Sequence, residues 1–175
     1  TLEELDRDSF EKAVDAIVSA RKLYIIGVRS CAAMATFMSF YFNLIFDNVV
    51  KVSATTASEV FESLLRVGEG DVVIGVSFPR YSSRTVQAMN FARSRGATTI
   101  AITDSEVSPL SPISTYTLKA RSDMASFVDS LVAPLSLINA LLVAVSRKKN
   151  DDLANTFEDL EKIWEEYGVY EKVQE

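Results

Sequence analysis

Short runs of β-branched and other apolar residues alternate along this chain with longer segments whose apolar positions recur every three or four residues. Leu5, Phe10, Val14, Ile17 and Val18 share one face of a predicted helix over residues 3–20, which Arg21 and Lys22 close. Leu23 to Val28 reads as a first buried strand, and a very apolar helix is expected from Ser30 to about Phe46. That helix has little polar face, so it should be covered on several sides, in part by another subunit. Val49–Val52 reads as a second strand, and Ser58-Glu59 leads a helix through Leu65 that Gly68 and Gly70 stop. A third strand spans Asp71–Ser77, a helix runs from about Ser83 to Arg95 and ends at Gly96, and Thr98–Thr103 forms a fourth strand. Ser108 to Pro112 marks a turn or a single helical turn, and Thr115–Lys119 a fifth strand. One long helix with a bend at Pro134 is expected over Met124–Arg147, then a final amphipathic helix over 151–167.

Strands that are continuously apolar and alternate with helices imply a parallel sheet covered on both faces, a three-layer αβα sandwich. Ligands of such open sheets bind beyond the carboxyl ends of the strands, where the strand order reverses. With five strands in the order 2-1-3-4-5, the first and third strands are neighbours at that reversal, and their loops face one crevice. The first loop reads Gly27-Val28-Arg29-Ser30. The second reads Ser77-Phe78-Pro79-Arg80-Tyr81-Ser82-Ser83-Arg84-Thr85 and opens a helix. Amides at a helix start have no partner within the helix and sit at the positive end of its dipole. Ser77, Ser82, Ser83 and Thr85 add neutral donors there, and Arg80 and Arg84 add charge. The combination suits a phosphate or another oxyanion. The plainer alternative is that Ser82 or Ser83 only caps the helix.

Composition narrows the chemistry. The 175 residues suffice for one domain, 48% hydrophobic and 24% charged. A net charge of −6 makes the domain itself a poor nucleic-acid binder. The lone Cys31 excludes an internal disulfide and a cysteine-rich metal site, and fits a small buried residue beside the loop and a reducing, cytoplasmic setting. No histidine is present, which removes the commonest general base and the usual zinc ligands, so neither metal nor cofactor is expected. Leu131–Val145, the longest apolar stretch, is interrupted by Pro134, Ser136 and Asn139, and no membrane association is expected.

Several of these residues carry a resemblance. Gly27-x-x-Ser30 opening a helix resembles the first loop of sugar isomerase (SIS) domains, which bind phosphosugars. Ser77 to Val86, with Gly96-Ala97-Thr98 and Ile100-Ala101-Ile102-Thr103-Asp104, resembles the second loop, helix and fourth strand of that fold. Ser105-x-x-Ser108-Pro109-Leu110 is similar to the corresponding stretch of RpiR/MurR-type bacterial transcription regulators. The resemblance covers nearly all of residues 3–147 and implies a single flavodoxin-like SIS domain over 1–175, with its αβα core at 22–147. RpiR-type proteins carry an N-terminal helix-turn-helix domain of which this sequence shows nothing, and a start at Thr1 fits the effector-sensing half of such a regulator. DNA would then be met only through that missing domain. SIS loops usually begin Gly-x-Gly-x-Ser, whereas Arg29 holds the second glycine position. They continue Ser-x-Ser-Gly-x-Thr, whereas Pro79 and Arg80 replace the middle pair and Ser82 stands for threonine.

By position, the resemblance carries phosphate contacts to Ser30, Ser77 and Ser82, with Ser83 and Thr85 beside them. Arg29 and Arg80 fall outside the pattern. They either bind a phosphate or carboxylate, or pair with Glu59, Asp104 or a partner subunit. Ala57-Ser58-Glu59 resembles the helix start in the SIS domain of glucosamine-6-phosphate synthase, whose glutamate takes part in isomerisation. Glu59 here either accepts from sugar hydroxyls or simply favours the helix dipole. Ser126 and Asp129 are weaker candidates for the same crevice. With no histidine, and no lysine expected near either loop, the expected function is a phosphosugar or sugar-acid sensor of an RpiR-type regulator, in a homo-oligomer. The alternatives are a sugar-phosphate isomerase with Glu59 as base, and a dimerisation module with an empty crevice.

Overall fold

The computed structural model describes residues 6–122 and 130–171, with 150–154 as backbone only. Five parallel strands, β1 (Leu23–Gly27), β2 (Val49–Lys51), β3 (Val72–Val76), β4 (Thr98–Thr103) and β5 (Tyr116–Lys119), form one sheet in the order 2-1-3-4-5. Among the described residues six α-helices connect or flank them: α1 (Arg7–Val18), α2 (Cys31–Ile45), α3 (Ala57–Ser63), α4 (Ser83–Ser94), α5 (Val132–Lys148) and α6 (Asn150–Glu166). Ser111–Ile113 adds a 3-10 turn before β5.

Alternation along the strands divides the core in two. Leu23, Ile25, Val72, Ile74, Val76, Ile100 and Ile102 face α1, α2 and α5, where Val14, Ile17, Met34, Met38, Phe42, Leu137 and Leu141 close the layer. Tyr24, Ile26 and Val73 face the other way, onto Val60 and Leu64 and onto Ala88, Met89 and Ala92 of α4. Helices therefore cover both faces, as continuously apolar strands require. Strand ends sit within a residue or two of the sequence reading, and β4 coincides with it.

The long helix departs from expectation. It starts at Val132 rather than Met124, with Ser130 and Leu131 non-helical and 123–129, which include Ser126 and Asp129, outside the described residues. Pro134 lies in its first turn, where an N–H has no intrahelical acceptor, so the helix runs through without interruption. Residues 3–5 of the predicted first helix, Leu5 among them, also lie outside the described residues. Asp6 caps α1 by accepting from the Asp8 and Ser9 amides.

α2 buries Met34, Met38 and Phe42 but leaves Phe40 (61%) and Tyr41 (41%) exposed. An apolar hollow of about 320 Å³ lies beside them, lined by Tyr41, Leu44, Ile45, Leu142, Val143 and Phe157 among others. No helix among the described residues is long and apolar enough to cross a membrane.

Two glycines set how closely helices approach the sheet. A Cβ on Gly27 would lie 2.9 Å from the Cys31 carbonyl carbon and closer still to its oxygen, both backbone atoms that cannot turn aside. A Cβ on Gly75 would meet Met89 Sδ at 2.7 Å, the tip of a flexible side chain. Gly27→Ala is therefore expected to cost about 1–3 kcal/mol, the usual penalty for overpacking, and Gly75→Ala clearly less. Urea-denaturation midpoints of the two variants check this ordering.

Candidate functional site

The parallel register pairs Gly27 with Val76, so Val28 and Ser77 leave the sheet at the same level. In the first loop, Arg29 is held at φ 59°, the Cys31 amide donates to the Val28 carbonyl (3.2 Å) and Ala32 N–H to the Arg29 carbonyl (3.0 Å). Ser30 follows at the N-cap position of α2, with helical backbone angles and no side-chain capping bond. The chain turns through the left-handed region to bring α2 directly against β1.

Ser77 organises the second loop. Its buried Oγ accepts from the Ser82 amide (3.0 Å), so residues 78–81 form an excursion with a pinched neck. Behind it, the Thr103 hydroxyl donates to the Ser77 carbonyl (2.8 Å) and lies 2.8 Å from the Ser108 hydroxyl, both side chains buried. The Tyr81 hydroxyl donates to Asp104 (2.8 Å). Desolvation first, and then that carboxylate, raise the Tyr81 pKa, so the phenol keeps its proton. The loop crest, Pro79 and Arg80, is exposed, with Arg80 at φ 60°. Ser82 caps α4 through a long contact from the Thr85 amide (3.5 Å).

Between the loops lies a cavity of about 260 Å³ walled by Val28, Arg29, Ser30, Cys31, Ser77, Phe78, Pro79, Arg80 and Ser82. Five of the eight site candidates thus meet at one cavity: Arg29, Ser30, Ser77, Arg80 and Ser82. The other three do not line it. Ser83 is exposed on the first turn of α4, and Thr85 is fully buried with no hydrogen-bond partner for its Oγ1. Glu59 closes a capping box on α3, accepting from the Ser53 hydroxyl (2.7 Å) and the Thr56 amide (3.4 Å) while Thr56 Oγ1 accepts from the Glu59 amide. The Ser53 hydrogen bond is the main cause holding its carboxylate below the usual range.

Other charges lie where the sequence did not suggest. Arg84, a candidate oxyanion ligand by position, instead donates to the Ala54 (2.7 Å) and Thr55 (3.0 Å) carbonyls and ties α4 to the segment after β2. Lys51, far from both loops in sequence, lines a second cavity of about 320 Å³ with Gly27, Val28, Arg29, Thr36, Ser53 and Thr55. The signal was present: Lys51 ends β2, and β2 pairs with β1 on the side away from β3. Neither Arg29 nor Arg80 makes an ion pair among the described residues. Glu59 and Asp104, their possible partners within the chain, are engaged by Ser53 and Tyr81.

Comparisons with known proteins place the family and the fold. The model of the SIS domain matches residues 16–144. An uncharacterized HTH-type transcriptional regulator of Caldanaerobacter subterraneus subsp. tengcongensis is 27% identical over 93% of this chain and 58% of its own length. One from Haemophilus influenzae is 28% identical over 82% of this chain and 51% of its own length. The chain thus spans a little over half of these relatives. Among solved structures, the sugar isomerase domain of an RpiR transcription factor from Sphaerobacter thermophilus superposes with a TM-score of 0.86 at 27% identity, over 92% of this chain and 89% of that one. The Vibrio vulnificus NanR protein, complexed with ManNAc-6P, shares the fold with a TM-score of 0.79 at 20% identity, over 93% of this chain and 63% of that one.

Arg29 and Arg80 are the only non-glycine residues with positive φ among the described residues. The left-handed conformation costs a side-chain-bearing residue about 1–2 kcal/mol, whereas glycine adopts it freely but adds up to about 1 kcal/mol of unfolded-state entropy. Arg80→Gly is therefore expected to hold or slightly raise the melting temperature. Arg80→Val, β-branched at the same φ, is expected to lower it. Calorimetry of the two variants gives the sign of each change.

Proposed function

The chain belongs to the SIS domain family, and on that premise we propose that it is the phosphosugar-binding effector domain of an RpiR-type transcriptional regulator. The observation that carries this reading is the convergence of Ser30, Ser77, Ser82, Arg29 and Arg80 on one cavity at two helix N-termini. A phosphate there meets the positive ends of two helix dipoles, hydroxyls and guanidinium groups, the combination that favours a dianion. The NanR relative complexed with ManNAc-6P and the HTH-type regulators among the relatives support the reading. Ser83 and Thr85 then shape the helix start rather than touch ligand, and Glu59 fixes Ser53 and the start of α3.

Sensing outweighs catalysis on the chemistry of the groups present. Moving a proton between sugar carbons needs a base of matched pKa. Glu59 is committed to the capping box with its basicity lowered, and the sequence has no histidine. The whole protein would contact DNA through a helix-turn-helix domain such as its relatives' names declare. Ligand would shift operator affinity only by its differential affinity for two arrangements of the subunits.

Titration calorimetry with hexose, amino-sugar and pentose phosphates, beside an aldose–ketose conversion assay, tests the assignment. At least one phosphosugar should bind without turnover. Ser77→Ala and Ser82→Ala should each weaken it by about 10- to 100-fold, the worth of one hydrogen bond to a charged group. Turnover abolished by Glu59→Gln would replace the sensor by an isomerase.

The exposed Phe40, Tyr41 and Val143, with the hollow they border, fit a second copy of the chain packed on this face. Sedimentation at micromolar concentration is expected to give twice the 19.3 kDa of one chain; a species of one chain alone would refute the dimer.

A further inference from the structure

We infer that the ligand carries two anionic ends and is a phosphorylated sugar acid. Its phosphate lies between the two loops, and its carboxylate lies in the neighbouring cavity against Lys51 and Arg29. The inference rests on the phosphosugar reading above and adds the chemical class of the ligand.

Size comes first. The cavity between the loops, at about 260 Å³, falls just below the range of about 300–1,000 Å³ in which small ligands are held. A phosphate fills part of it and leaves little room for a sugar chain. The neighbouring cavity of about 320 Å³ shares Val28 and Arg29 with it, so a bound chain passes over Arg29 from one to the other. The far wall is built for the purpose: Arg84 pins the Ala54 and Thr55 carbonyls, and Glu59 holds the Ser53 hydroxyl.

Charge comes second. The two cavities are lined by three cations, Arg29, Arg80 and Lys51, and among the described residues by no carboxylate. The Lys51 ammonium donates to the Thr36 hydroxyl at 3.3 Å, and among the described residues none of the three cations has an acid within ion-pair distance. A phosphate dianion between the loops is matched by Arg80 and the helix-start amides. Arg29 and Lys51 then face the rest of the ligand. Both are exposed to solvent, and a neutral polyol there makes no use of either charge. A carboxylate accepts from the guanidinium fork and the ammonium together. The left-handed backbone at Arg29 has the same meaning: a strained residue persists where its side chain is needed.

The test uses pairs of compounds that differ only at the terminal carbon: aldonate 6-phosphates (gluconate, mannonate, galactonate) against the alditol 6-phosphates of the same configuration. Inorganic phosphate is the third probe. Calorimetry on the wild-type chain should show at least one acid binding about tenfold or more tightly than its alditol. In Lys51→Met that ratio should fall toward one. Equal affinity for acid and alditol throughout, with phosphate competing, overturns this inference and leaves the phosphosugar reading standing. No binding of any phosphorylated compound and none of inorganic phosphate overturns both. An acid preference that Lys51→Met and Arg29→Gly both leave untouched removes the assigned subsite and with it the inference.

Discussion

The pairing of Gly27 with Val76 is the constraint on which the rest of the molecule depends. It brings two strand ends to one level, and from there the chain departs in opposite directions. α2 covers the face that carries Ile25 and Ile74, and α4 the face that carries Ile26 and Val73. A gap between diverging connections is unavoidable at such a point, and both helices direct the positive ends of their dipoles to it. Gly27 is indispensable here because α2 begins in contact with it. Any Cβ at that position pushes the helix start away from the cavity it helps to form.

Holding the second loop open takes a chain of buried hydrogen bonds. Ser108 supports Thr103, Thr103 supports the Ser77 carbonyl, and Ser77 Oγ supports the Ser82 amide. Each contributes about 0.5–1.5 kcal/mol net, and together they are of the size needed to hold Arg80 in its left-handed conformation. The Ser-Pro-Leu run after β4 thereby gains a physical role. It stiffens the loop from behind, with Leu110 fully buried as its anchor.

Much of this was legible in the sequence, for identifiable reasons. Five apolar runs and the switch-point rule give the strand order and name the two loops, because burial on both sheet faces leaves a strong signal. Glu59 was placed at a helix start, and the structure keeps it there, where it closes a capping box with Thr56. Arg84 was not legible, and Lys51 was passed over although the strand order pointed to it. Arg84 stands among loop residues yet bonds carbonyls thirty residues away in the chain, and Lys51 reaches the site only because β2 lies beside β1. The start of α5 was obscured because a proline is as acceptable in a first turn as at a bend. The two arginines were recognised as departures from the usual glycines, but only the backbone shows that they keep the glycine conformation.

The cationic crevice sits in a chain whose net charge is −6, and range makes those two fields separable. At physiological ionic strength a charge is felt over roughly 8 Å. A small anion that enters the crevice sits within that distance of Arg29, Arg80 and Lys51, and the acidic exterior is screened from it. A long polyanion, by contrast, drapes most of its charges over that exterior and gains nothing from a recess it cannot enter. On the proposed phosphosugar reading, this difference in reach favours small anions over nucleic acid before any hydroxyl is read.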